Sequence, residues 1–314
     1  MNAILRSIVP VIQQAKYVKI NHFRLDDFCS RFEGLYQSFK IPFIPFSLNI
    51  DDKIQLDFAY NSANFCYWGD PKWAITHQGR EISGAYGMKA AFNRALEERF
   101  PLLDASYLEN LTEMDLAHIV RGNTTIPLFQ ERLLFLRQLG RILNEKYHGK
   151  SKNVVDAGEG DSLRLLEEVT SNFPCYDDSA EYNGNKVLFH KRAQLFVHNV
   201  HKALEKEGKI LSSIDELSAL ADYKIPQLLR NRGIFEYGPE LANRVDNYQI
   251  IPAGGVEEVE IRAFTLEAVE LMVEKLKPGF PSLNAINLDS YLYLEAKKKY
   301  PEDKPHHRAL TTAH

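Results

Sequence analysis

Ala221-Asp222-Tyr223-Lys224-Ile225-Pro226-Gln227 is the segment of this 314-residue chain with the clearest chemical potential. Leu217, Leu220 and Ala221 read as the end of an apolar helix face. Pro226 suits the first turn of a second helix, because its missing N–H would be unpaired there in any case. Asp222 therefore belongs in a junction between two helices. It can cap the second helix, or it can be a carboxylate held rigidly at a cleft, and the two roles are compatible. Lys191-Arg192-Ala193-Gln194 comes next, early in a helix whose apolar face is Leu188, Leu195, Val197 and Ala203. For a lone lysine there, a solvated position is the default. His190, Gln194, His198 and His201 share a face of this helix, but no carboxylate or cysteine stands at ligand spacing, so no metal is expected.

Asn64-Phe65-Cys66-Tyr67-Trp68 follows a segment that alternates apolar and polar residues. Loops after such segments often present site residues. Phe65 or Trp68 can stack on a planar heterocycle, or both can be core filler, the commoner fate of large aromatics. Glu257-Glu258-Val259-Glu260-Ile261-Arg262 opens a helix after Gly254-Gly255. Its acidic first turn complements the helix dipole, and Arg262 can pair with Glu258 four residues earlier. Pro305-His306-His307-Arg308 lies near the C-terminus, where fraying is the default. Phosphate-loop, dinucleotide, nucleophile-elbow and zinc-protease motifs are absent.

The elements that position these residues read as mainly helical, with a small antiparallel sheet in the first third. Residues 2 to about 38 show helical spacing at Ile4, Ile8 and Ile12 and again at Phe28, Phe32 and Leu35, until Pro42 and Pro45 break it. Residues 54–60 alternate like a half-buried strand. Residues 73–76 and 80–83 flank His77-Gln78-Gly79 as a small hairpin. Helices are expected from Gly87 to Glu98, after a capping Thr112, from Pro127 to about Tyr147, and over 162–172, 188–206, 213–221, 225–232, 239–246, 256–276 and 286–299. The stretch 148–161 reads as a surface loop. It divides the chain either trivially or into two lobes, 1–150 and 151–314.

The 45% hydrophobic content supplies a sizeable core, in one domain or two lobes. A net charge of −4 and a pI near 6.2 argue against a nucleic-acid-binding protein. Lys297-Lys298-Lys299, the densest basic cluster, reads as the solvated end of a helix. Three widely spaced cysteines, Cys29, Cys66 and Cys175, form no disulfide or zinc pattern, which fits a reducing cytoplasmic compartment. No stretch reads as a signal peptide or a membrane span.

These blocks, taken in order, resemble the queuosine 5′-phosphate N-glycosylase/hydrolase family. The resemblance runs from about residue 60 to the C-terminus. It is carried by Asn64-Phe65-x-x-Trp68, by Ser83-Gly84 with Asn93-Arg94-Ala95-Leu96, and by Arg121-Gly122-Asn123-Thr124 with Pro127-Leu128 and Glu131-Arg132. Lys191-Arg192-Ala193-Gln194, Ala221-Asp222-Tyr223 with Pro226-Gln227, Glu258-Val259-Glu260-Ile261-Arg262 and His307-Arg308 complete it. Departures stand at Asn61, at Gly122 or Asn123, and near Phe46, where the family's histidine is missing.

The resemblance implies a fold similar to the helical DNA glycosylases and hydrolysis of queuosine 5′-phosphate to queuine, without a cofactor. Asp222 would stabilise an oxocarbenium-like transition state and orient or deprotonate water. Lys191 would hold phosphate or ribose, or pair with Asp222. Phe65 and Trp68 would stack on the base beside Asn64, and Gln227 and Glu260 would read its edge. Arg262, His307 and Arg308 would serve structural pairing or phosphate contact. A nucleobase or DNA glycosylase, or a non-catalytic nucleoside-binding protein, are the competing classes. Neither a nucleic acid nor a membrane is an expected partner, and the sequence sets no oligomeric state.

Overall fold

The computed structural model describes residues 2–35, 43–298 and 300–314. The expected helical turns at 36–38, Pro42 and Lys299 lie outside the described residues. Chain order begins with α1 (Ala3–Gln14), β1 (Val18–Ile20), α2 (His22–Ser30) and α3 (Ile50–Ser62). The hairpin β2 (Ala74–His77) and β3 (Arg80–Ser83) leads into α4 (Gly84–Glu97), α5 (Ala105–Glu109), α6 (Glu113–Ile119) and α7 (Phe129–Tyr147). Then come α8 (Ser151–Ala157), α9 (Ser162–Asn172), β4 (Ser179–Tyr182), β5 (Asn185–Leu188) and α10 (Lys191–Glu205). The last third holds α11 (Lys224–Asn231), β6 (Phe235–Tyr237), α12 (Pro239–Asp246), α13 (Val256–Leu276) and α14 (Ala285–Glu295).

The protein is mainly α. Among the described residues the strands form three antiparallel pairs, β1–β6, β2–β3 and β4–β5, so strand pairing is spread along the chain rather than confined to the first third. The expected hairpin at 73–83 is present, and Gln78 and Gly79 both take positive φ in its turn. Among the described residues no helix is long and apolar enough to cross a membrane.

Four local expectations are corrected. Residues 54–60 belong to α3, not to a strand. Asn49 caps α3 by accepting the Asp52 N–H at 2.9 Å, Asp51 and Asp52 occupy its first turn, and the helix is buried on several sides at its C-terminal end, so apolar residues at every second position still find cover. The stretch 148–161 contains α8. The N-terminal region is interrupted by β1, which pairs with β6 over Val18↔Tyr237 to Ile20↔Phe235. Residues 213–221 form one short 3₁₀ turn, Ile214–Glu216, and then an extended segment.

Two buried arginines hold the end of α3 and the segment after it. Arg192 on α10 donates to the carbonyls of Asn61 and Ser62 at 3.2 and 3.0 Å, and also to Cys175 O. Arg132 on α7 donates to the carbonyls of Ala63, Phe65 and Cys66. The Asn61, Ser62 and Ala63 carbonyls lie at the C-terminal end of α3, where regular helical partners run out, and guanidinium charge matches the negative end of the helix dipole. The same contacts fix 63–68 against α7 and α10.

The loop 121–124 sets the start of β2. Asn123 accepts the Ala74 N–H at 2.9 Å through its side chain and donates to Lys72 O at 3.1 Å. Gly122 makes this approach possible. A methyl group there would lie 2.3 Å from the Ala74 carbonyl oxygen and 2.9 Å from Trp73 Nε1. Gly122→Ala should therefore lower stability by about 1–3 kcal/mol in urea unfolding. A change below about 0.5 kcal/mol, the scale of a neutral surface substitution, would show that the loop can move away freely.

Candidate active site

The centre of the site is positioned by one buried guanidinium. Arg262 on α13 makes two parallel bonds to Asp178, at 2.8 and 2.6 Å, and its Nε donates to Ala221 O at 3.1 Å. Asp178 in turn begins α10. Its carbonyl accepts the N–H groups of Phe189 and His190, both at 3.0 Å, and its Oδ2 accepts the Lys191 N–H at 3.1 Å. Burial alone would raise the Asp178 carboxyl, but the Arg262 charge and its hydrogen bonds hold it below the ordinary carboxylate value. The pair thus stays ionised, and it fixes the first residue of α10 and the residue before Asp222 together.

Between Leu217 and Asp222 the chain is extended and mostly buried, so its amides need partners other than a helix. Side chains supply two. Gln194 Oε1 accepts the Ser218 N–H at 2.8 Å, and Asp289 Oδ1 accepts the Leu220 N–H at 2.7 Å. Asp222 follows. Its Oδ1 accepts the N–H groups of Lys224 at 2.6 Å and Ile225 at 3.3 Å, which caps α11. Its Oδ2 takes no hydrogen bond among the described residues.

Lys191 is 8% exposed, and its Nζ makes no hydrogen bond among the described residues. Burial lowers its basicity, and Asp222 is the strongest opposing charge. The two groups interact through their charges, but no ion pair joins them among the described residues. Asp289 on α14 completes the centre. Burial raises its carboxyl well above the ordinary range, and the nearby Asp222 raises it further. Two carboxyl groups beside one lysine cannot both ionise cheaply, so Asp289 favours its protonated form.

Tyrosines wall this centre. Burial and then the Asp222 charge raise the hydroxyls of both Tyr223 and Tyr293. Tyr86 and Tyr67 also act on Tyr293. His306 lies on Tyr223 with ring centroids 4.6 Å apart. Its Nδ1 lies 2.7 Å from His307 O, and a carbonyl acceptor requires the proton on Nδ1. Burial lowers its pKa to about 4, so the ring is neutral.

The structure brings Lys191 and Asp222 together and assigns several other expected site residues to framework contacts. Phe65 is 1% exposed, and the guanidiniums of Arg132 and Arg192 lie 4.2 and 5.2 Å from its centroid. No ring face is open for a base, which corrects the stacking expectation. Glu260 is also withdrawn from base recognition. Its carboxylate accepts from the backbone of Lys16, Tyr17 and Val18 at 3.0, 2.6 and 3.1 Å and from the Tyr182 hydroxyl at 2.9 Å. Arg262 makes the structural pairing, including its 3.7 Å contact with Glu258, rather than a phosphate contact.

Asn64 accepts from the Tyr67 hydroxyl at 3.0 Å. Gln227 joins α11 to the C-terminal segment, donating to Lys304 O at 2.8 Å and accepting from Lys224 Nζ at 3.0 Å. His307 is buried, and burial drives its pKa well below the ordinary value. Arg308 lies over Trp68 and Tyr248, 5.7 and 4.6 Å from their centroids. Trp68 is half-buried, and its buried indole Nε1 has no hydrogen-bond partner among the described residues.

Asp178, Asp289 and Tyr293 escaped the sequence reading, and His306 was noted there only as part of a C-terminal segment. Asp289 had a signal. It stands three residues from Ile286 and from Leu292, on the core face of α14, where a carboxyl needs a reason. Asp178 had none, since its partner Arg262 is 84 residues away.

The model of a family described as queuosine salvage protein matches residues 47–312. The chain is 39% identical over 254 residues to a Sphaerobacter thermophilus protein named queuosine 5′-phosphate N-glycosylase/hydrolase, an alignment covering 80% of this chain and 78% of that one. A Mus musculus protein of the same name is 33% identical, with 80% and 79% of the two chains covered. One from Dictyostelium discoideum is 31% identical across 95% of this chain and 94% of its own.

Asp178→Asn should cost about 3–5 kcal/mol of stability, because it leaves the Arg262 charge buried without its partner. Urea unfolding measures this. A loss under about 1 kcal/mol, the size expected of an exposed pair, would mean that Arg262 does not organise the centre.

Proposed function

The chain belongs to the queuosine salvage protein family, and from that premise we propose that it hydrolyses queuosine 5′-phosphate to queuine and ribose 5-phosphate. The observation that carries the reading is the state of Asp222. One carboxylate oxygen is spent on α11, while the other takes no protein hydrogen bond among the described residues, and the carboxylate is the strongest opposing charge acting on the buried Lys191.

The bond between ribose C1′ and the base nitrogen breaks with its electron pair passing to the base. Positive charge develops on the ribose, and the Asp222 carboxylate stabilises it. A water oxygen bonds C1′ as Asp222 takes one of its protons. Queuine is a 7-deazaguanine and has no N7 to protonate, so the departing base needs hydrogen bonds at its other polar atoms. Asp289, favouring its protonated form and bound to the same segment through the Leu220 N–H, supplies a donor. Tyr223, Tyr293 and Trp68 are the rings left to contact base and sugar. Lys191 orients Asp222 by its charge and can hold a ribose hydroxyl. The substrate on this reading is a small molecule. The net charge of −4 gives no general attraction for a polynucleotide.

Asp222→Asn keeps an amide oxygen that can still cap α11, so the fold should survive. Turnover should fall at least about a hundredfold, since the amide carries no charge for the transition state. Chromatography for free queuine after incubation with queuosine 5′-phosphate measures this. Wild-type turnover in the folded variant removes Asp222 from the mechanism. Queuine release from intact queuosine-containing tRNA would instead favour a nucleic-acid glycosylase.

A further inference from the structure

Two buried carboxylates lie within reach of the Arg262 guanidinium. Arg262 Nη1 is 2.8 Å from Asp178 Oδ1 and 3.7 Å from Glu258 Oε1. Burial alone would raise both carboxyls, but the Arg262 charge holds each below the ordinary value, so both are ionised. Glu258 and Arg262 are 1% and 2% exposed, and charge is poorly screened at that depth. A closer approach of Glu258 to Nη1 would therefore be favourable, at the expense of Asp178. Both oxygens of Glu258 are engaged elsewhere. Oε2 accepts the Gly254 N–H at 3.0 Å. Oε1, the oxygen 3.7 Å from Arg262, lies 2.9 Å from His314 Nε2. An ionised acceptor there requires the proton on Nε2.

His314 is itself buried and held by its backbone. Its carbonyl accepts the Cys66 N–H at 2.9 Å, and the Cys66 carbonyl is bound by Arg132. Earlier in the same stretch Arg308 O accepts the Ile251 N–H at 2.8 Å, and Lys304 O accepts from Gln227 at 2.8 Å. The His314 ring centroid lies 6.0 Å from that of Tyr223, the residue after Asp222. We propose that His314 is a positioning residue: by occupying Glu258 Oε1 it leaves Arg262 to Asp178 and Ala221, and so sets Lys191 against Asp222. Without that N–H, Glu258 draws Nη1 toward itself and the two-bond seat on Asp178 loosens. The start of α10 and the residue before Asp222 then lose their common anchor. His314 acts through Glu258 and Arg262 and touches no reacting atom. The catalytic consequence rests on the reading of the centre as a queuosine 5′-phosphate hydrolase, whereas the contest of two carboxylates for one guanidinium does not.

The test is a cycle of His314→Phe, Glu258→Gln and the double variant, with His314→Gln beside it. Phenylalanine keeps a ring and removes the N–H, whereas glutamine keeps an amide donor. With queuosine 5′-phosphate, His314→Phe should lower kcat about tenfold or more, the scale of one hydrogen bond to a buried charge, and change KM less. The double variant should regain most of that loss, because a neutral Gln at 258 no longer competes for Arg262. His314→Gln should stay within about threefold of wild type, since the donor is kept. Urea unfolding of the same proteins reads the contest without substrate: the double variant should unfold at a higher midpoint than His314→Phe. A double variant no better than His314→Phe in both kcat and midpoint would overturn the proposal, because a ring that only fills space leaves nothing for the second substitution to restore. A loss in His314→Gln as large as in His314→Phe would overturn it too. Should His314→Phe fail to fold, a folded double variant supports the proposal and failure of both overturns it. If no form releases queuine, the hydrolase reading fails and the midpoints alone decide the contest. If wild type releases queuine and the two substitutions are additive in kcat and in midpoint, the reading stands and the positioning role fails.

Discussion

The Arg262–Asp178 pair is the constraint on which the site depends. A fully buried ion pair is seldom an efficient source of stability, because desolvating both charges offsets their attraction. Its value here is geometric. A guanidinium presents its donors in a rigid fork. Two directions of that fork take Asp178, and the third takes the Ala221 carbonyl. Asp178 spends its remaining capacity on the first turn of α10. Lys191 and Asp222 are 31 positions apart in sequence, yet the residues that set them hang from one planar group on a third helix. A displacement of α13 would be felt by both.

Asp222 shows how a helix cap can leave half of a carboxylate unspent. A carboxylate at a helix start is favoured by the dipole and by two amide donors. Those donors occupy Oδ1 and lock the side chain, so Oδ2 is aimed without further help. Asp289 is bound to the same segment. It accepts the Leu220 amide N–H, and the Asp222 charge adds to the burial that raises its carboxyl, which favours a neutral Asp289 able to donate a hydrogen bond.

How much of this was legible in the sequence depended on whether the partner was local. The Thr112 cap is confirmed by its 3.0 Å bond to the Asp115 N–H, and the Glu258–Arg262 pair by its 3.7 Å contact, because both lie within one helical turn. The long helices were legible for the same reason. Residues 54–60 were misread because Ile54, Leu56, Phe58 and Tyr60 fit a strand's alternation as well as a helix buried on several sides. Asn49, outside that window, held the deciding signal. The β4–β5 hairpin carried the strong local cue Asn183-Gly184, with both residues at positive φ, and was overlooked inside the approach to a helix. Glu260 was misassigned for a different reason. Its donors are backbone amides of 16–18, which no side-chain pattern reveals. Family resemblance placed Lys191 and Asp222, whereas the arrangement of Asp178, Asp289 and Tyr293 around them required the fold.

The misread segment 217–221 shows why tertiary contacts replaced the expected helix. A helix satisfies its own amides and would need nothing from Gln194 or Asp289. It would also rotate each successive side chain by a fixed step, so the direction of Asp222 would follow from the helix axis. An extended segment surrenders that self-sufficiency. Its amides must be met one at a time, and the side chains that meet them come from α10 and α14, the helices that carry Lys191 and Asp289. The bonds that satisfy the backbone are therefore the same bonds that register the chemical groups against each other. Removing the helix couples the local hydrogen-bond requirement to the geometry of the centre, whose position is then fixed from three helices at once.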